Sequence, residues 1–70
     1  MRKESEFLVY CMEIQKRARK LAGKQVYELF ERFRLFDFVL ESYDLLHVHG
    51  EKYILQDIDD RIAELSVRNV

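Results

Sequence analysis

The chain has no proline, only two glycines (Gly23 and Gly50) and a single cysteine, Cys11. With so few residues able to stop or sharply turn the backbone, long helices and few tight turns are favoured. One cysteine cannot form an internal disulfide, and a reducing compartment suits it. The longest uninterrupted apolar run is Phe7 to Met12, far short of the roughly 20 residues that a membrane helix needs. The opening residues lack the layout of a secretory leader. These absences favour a cytoplasmic location and no membrane partner.

What is present describes a single globular domain, residues 1–70. Hydrophobic residues make up 49% of the chain and charged residues 36%, a globular balance. A domain of this size buries only about 60% of the surface its unfolded chain exposes. Its core is therefore thin, and a partner or second copy would add needed contacts; homo-oligomerisation is compatible with this. The net charge of −1 conceals an asymmetry: residues 1–34 hold nine Lys/Arg against five Asp/Glu, and residues 35–70 hold three against eight. Complementary halves within one fold, or head to tail between two copies, explain this more simply than an acidic partner.

Periodicity predicts an all-α bundle of about four helices. The first spans 5–21, with Ser5 as N-cap and Gly23 supplying the left-handed residue that stops it. Phe7, Tyr10, Cys11, Ile14, Ala18 and Leu21 share one face, while Leu8, Val9 and Met12 lie off that stripe and form a candidate patch for a partner. The second helix spans 24–33 on Val26, Leu29, Phe30 and Phe33, with a break expected at Arg34 or Leu35. The third, 36–47, carries the most apolar stretch. At about 100° per residue, Leu35, Phe36, Phe38, Val39, Leu40, Tyr43, Leu45 and Leu46 sweep roughly 220°. Such a helix requires neighbours on several sides and is expected at the centre. Asp37, Glu41 and Asp44 fill its narrow polar remainder. His47-Val48-His49-Gly50 reads as a helix end. Residues 50–56 are expected to be short and irregular or extended, on the alternation of Tyr53 and Leu55, although Ile54, Ile58, Ile62 and Leu65, spaced 4, 4 and 3, equally permit a helix throughout. The last helix, 57–67, opens on Asp57 as N-cap.

Three sets of residues bear on chemistry. His47 and His49, with Asp44 and Cys11, contain metal-ligand types. However, residues two apart on a helix point about 200° apart, and four-coordinate sites need more converging donors; no metal is expected. The carboxylates Asp37, Glu41, Asp44, Asp57, Asp59, Asp60 and Glu64 read as solvated faces. No phosphate-cradling loop, nucleophile elbow or triad pattern is present, so the chain is expected to be no enzyme and to need no cofactor. The basic cluster Lys16, Arg17, Arg19, Lys20 and Lys24 permits a nucleic-acid regulator working through the first helix. Nucleic acid is nonetheless disfavoured, because the helix best placed to read a groove is apolar with an acidic stripe.

The chain resembles a family of short bacterial proteins known as a domain of unknown function. The matching residues are Phe7-Leu8-Val9-Tyr10-Cys11 with Glu13, Gly23-Lys24 with Val26-Tyr27 and Leu29-Phe30, then Tyr43, Leu46-His47, Gly50-Glu51, Tyr53-Ile54, Asp57-Ile58-Asp59 and Ile62. They extend over about 5–64 and are packing residues; Ala22 stands where a hydroxyl residue would be expected before Gly23. The resemblance implies a small partner encoded beside ADP-ribosyltransferase-like proteins, in a toxin–antitoxin-like arrangement. The expectation is a non-enzymatic protein-interaction module. Its candidate contacts are Leu8, Val9 and Met12, the acidic Asp37, Glu41 and Asp44, and His47 and Tyr53 around the motif Tyr43…His47…Gly50-Glu51-x-Tyr53.

Overall fold

A computed structural model describes residues 3–68, and every regular element among them is helical: α1 (Lys3–Arg19), α2 (Gly23–Arg32), α3 (Leu35–Glu41), α4 (Tyr43–Leu46) and α5 (Glu51–Arg68). None is long and apolar enough to cross a membrane. The small all-α bundle expected from periodicity is present. The core comprises Cys11 and Ile14 of α1, Val26 and Phe30 of α2, Phe33 in the following turn, Leu35 and Val39 of α3, and Ile54, Ile58 and Ile62 of α5.

The shared element is α1, which packs against α2, α3 and α5. The third helix, expected at the centre, packs against α1, α2 and α4 but is not enclosed on every side. Leu35, Val39 and Leu46 are fully buried, and Phe36, Phe38 and Tyr43 are half-buried. Leu40 and Leu45, however, are 42% and 59% exposed. A 70-residue chain has too few elements to surround a helix that is apolar on most sides.

That helix is also divided. Ser42, with φ −96° and ψ 9°, separates α3 from α4. Serine competes for backbone hydrogen bonds and is a weak interior helix former. The ladder is nevertheless carried across the break, because Ser42 N–H donates to Phe38 O (3.0 Å) and Leu46 N–H donates to Ser42 O (2.8 Å).

Residues 51–56 are helical, not extended. Ile54 N–H donates to the Gly50 carbonyl (3.2 Å), and Ile54, Ile58 and Ile62 all face the core. Their four-residue spacing outweighs the local alternation of Tyr53 and Leu55, since one long buried stripe removes more apolar surface from water. Asp57 thus lies inside α5 and caps nothing. Ser5 likewise lies within the first turn of α1 rather than before it.

The glycines are not where the left-handed backbone is. Lys20 (φ 55°) and Arg34 (φ 53°) adopt that conformation, and neither glycine has positive φ. Lys20 ends α1 in a Schellman arrangement: Leu21 N–H donates to Lys16 O (3.0 Å). Gly23 instead opens α2, behind Ala22 as N-cap. Alanine cannot accept a bond from the helix's first N–H groups; Gln25 supplies the reciprocal half of a capping box by accepting from Ala22 N–H (2.8 Å).

A left-handed non-glycine residue costs about 1 kcal/mol, and glycine in a helix costs a similar amount relative to alanine. Nothing lies within 4 Å of a Cβ added at Gly23. Lys20→Gly and Gly23→Ala are each expected to stabilise the fold by about 0.5–1 kcal/mol, measured as a rise in urea midpoint. No change in either variant would contradict the assigned helix ends.

Candidate partner-binding surface

The surface follows from how α1 is rotated. Its fully buried residues are Cys11, Ile14 and Gln15. A buried amide is tolerated only when its polar atoms are bonded. Gln15 Oε1 accepts from Arg19 Nε (2.7 Å), and its Nε2 donates to Asp59 Oδ1 (3.3 Å). Arg19 Nη2 donates to the same Asp59 oxygen (2.9 Å). Taking Gln15 into the interior turns the buried stripe by about 50° from the one hydrophobicity suggests. Leu8 and Met12 are drawn against the core, while Tyr10 is left 42% exposed and Val9 56% exposed.

The exposed Tyr10 begins a continuous strip of rings. Its centroid is 6.1 Å from Phe7, which meets Tyr43 of α4 edge-on at 5.4 Å. Tyr43 in turn stacks on His47, 4.4 Å away and 3° from parallel. The strip thus joins the first turns of α1 to α4 and the turn after it. His47 is exposed. Its carbonyl bond is present: Nδ1 lies 2.6 Å from Tyr43 O, which can only accept, so Nδ1 carries the proton. A second stack, His49 on Tyr53 at 3.8 Å, opens α5.

The other sequence candidates are dispersed. Val9 and Tyr53 are exposed, as are Asp37, Glu41 and Asp44. Leu8 and Met12 belong to the flank of the core and are poor contact residues. His47 and His49 lie on different tyrosines, and no group of three His, Cys, Asp or Glu able to hold a metal occurs among the described residues. Of the basic cluster, Arg17 pairs with Glu51 (3.3 Å) and Arg19 with Asp59 (2.9 Å). The lopsided halves therefore meet between α1 and α5. Lys20 and Lys24 are exposed.

Sequence reasoning missed Gln15 and an open groove of about 570 Å³ between the end of α1 and α2. Leu21 and Leu29 line it, with Arg19, Gln25, Glu28 and Arg32 around them. No hydrophobic pattern could have marked Gln15 as interior; the only signal was its spacing of four from Arg19, which suits a bond along the helix. Cys11 is sealed in the core, and burial pushes its thiol up to about 12.

The class these features define is a small all-α bundle with an exposed aromatic strip. The chain belongs to the family described as a protein of unknown function (DUF3791), whose model matches residues 6–64. That span includes every residue on which the family resemblance was read, from Phe7 to Ile62. Neither the curated proteins nor the solved structures gave a significant match.

Two measurements check this geometry. Asp59→Ala leaves the Gln15 amide buried without an acceptor and is expected to cost about 1–3 kcal/mol. Arg17→Ala, which breaks the solvent-exposed pair, should cost no more than about 0.5 kcal/mol. Equal effects by denaturant unfolding would contradict the buried network. Cys11 should resist thiol reagents at neutral pH until the chain unfolds. Because its pKa is raised from 9.0 to about 12, the folded state holds its proton more tightly. The stability this contributes is complete below pH 9 and lost as pH rises from 9 towards 12; a Cys11→Ala variant should lose that part of the alkaline decline.

Proposed function

We propose that this chain is a non-enzymatic protein-interaction module of the bacterial cytoplasm. Its partner would be an ADP-ribosyltransferase-like protein encoded nearby, which it holds as an antitoxin holds its toxin. The observation that supports docking is the continuous ring strip Tyr10–Phe7–Tyr43–His47, exposed at Tyr10 and His47 and half-buried between them, on a chain whose core is thin. Large aromatic rings on a surface remove much apolar area from water at small entropic cost, which is why they dominate protein contacts. The class of partner rests on the family resemblance. The regulator reading through α1 has less support, because two of its five cations are already paired with carboxylates of α5.

Co-expression with the neighbouring gene product tests the proposal. The two chains should co-purify, and Tyr10→Ala should weaken the complex at least about tenfold without lowering the melting temperature of the free chain. Leu8→Asp and Met12→Asp are unsuitable, since both place a charge against the core. Failure of the neighbouring product to bind the wild-type chain would overturn the assignment of partner.

A further inference from the structure

On the reading that the ring strip docks a protein, we infer that the docked segment is cationic and amphipathic, with arginines or lysines interleaved with aliphatic residues. The charges around the rings argue for this. One turn on either side of Tyr10 along α1 stand Glu6 and Glu13, and Asp44 stands three residues before His47 on the adjacent helical row. All three are exposed, and none takes part in an ion pair or side-chain hydrogen bond among the described residues. Two cations of α1 are matched within the fold, Arg17 to Glu51 and Arg19 to Asp59, and neither pair draws on these three carboxylates. The cations on the same face of α1 are Lys3, one turn before Phe7, and Arg17, which Glu51 already holds.

The surface therefore offers ring faces flanked by uncommitted carboxylates. Guanidinium and ammonium groups satisfy both halves of such a surface. They are attracted to the faces of tyrosine rings and pair with carboxylates at the edge. An acidic segment would meet repulsion at Glu6, Glu13 and Asp44, and an uncharged one would leave them desolvated without a partner. The carboxylates select the sign of the occupant, and the rings hold it.

The test uses the full chain, isotopically labelled, titrated by NMR with two synthetic helical peptides. They have the same length and leucine spacing; one carries arginine at every charged position and the other glutamate. The arginine peptide should shift amides of residues 6–13 and 43–47 saturably, and the glutamate peptide should not. The triple variant Glu6→Lys/Glu13→Lys/Asp44→Lys should weaken the arginine peptide at least about tenfold. A variant with the same charge change elsewhere, Glu28→Lys/Glu31→Lys/Asp60→Lys, should leave it nearly as tight. Equal binding of both peptides, binding of neither, or equal weakening by the two triple variants would each overturn the inference. A co-expressed protein that is lost with Tyr10→Ala but indifferent to the Glu6/Glu13/Asp44 reversal would retain the docking surface and remove only its cationic occupant.

Discussion

An amide without water must find its bonds within the protein, and in this fold that constraint falls on Gln15. Its two partners come from one turn along the same helix and from α5, so α1 can occupy only one rotation about its axis. With Gln15 inside, Leu8 and Met12 join the core and Tyr10 is turned outward. The same three-residue network, Gln15–Arg19–Asp59, joins α1 to the helix that carries the isoleucine stripe. A polar residue thus decides which apolar residues are hidden, and the surface available for recognition is a consequence of that choice.

The thinness of the core has a second consequence. Five elements of so small a chain cannot enclose every apolar side chain, and the residues left over are not scattered evenly. Tyr10, Phe7, Tyr43 and His47 touch in that order, whereas single exposed aliphatics such as Leu40 and Val48 are ordinary for a surface. Contiguity separates a recognition surface from incomplete burial. The strip is half-supported by the core beneath it, through Phe7, on which Tyr43 packs edge-on, so its rings are held in place before any partner arrives. Prior ordering of this kind reduces the entropic cost of association.

Much of the fold was legible from spacing. Val26, Phe30 and Phe33 repeat as a helical face and are buried, and the break before Leu35 falls at Arg34 as expected. Ile54, Ile58 and Ile62 announce a helix, although the alternation beside them obscured where it begins. Helix ends were harder to place. Lys20 and Arg34 occupy the left-handed region that chemistry reserves for glycine, so the sequence pointed to Gly23, three residues too late. The division at Ser42 and the exposure of Leu40 and Leu45 could not be read from an arc of hydrophobicity, because the arc says what would like to be buried and not how many neighbours exist. Of the docking surface, His47 and, through the motif that contains it, Tyr43 were legible as candidates. The exposure of Tyr10 is not legible from the apolar face it shares with Cys11 and Ile14, because the rotation of α1 depends on a hydrogen-bond network formed with a residue 44 positions away.

The rotation of α1 turns on the placement of Gln15, whose side-chain amide protons report on that placement directly. In a native-state exchange experiment, the amide protons of Gln15 should exchange far more slowly than those of Gln56, which is exposed and bonds to Asp60 along the same helix. Equal, rapid exchange of the two amides would place Gln15 in solvent, return Tyr10 to the interior and remove the aromatic strip on which the functional reading stands.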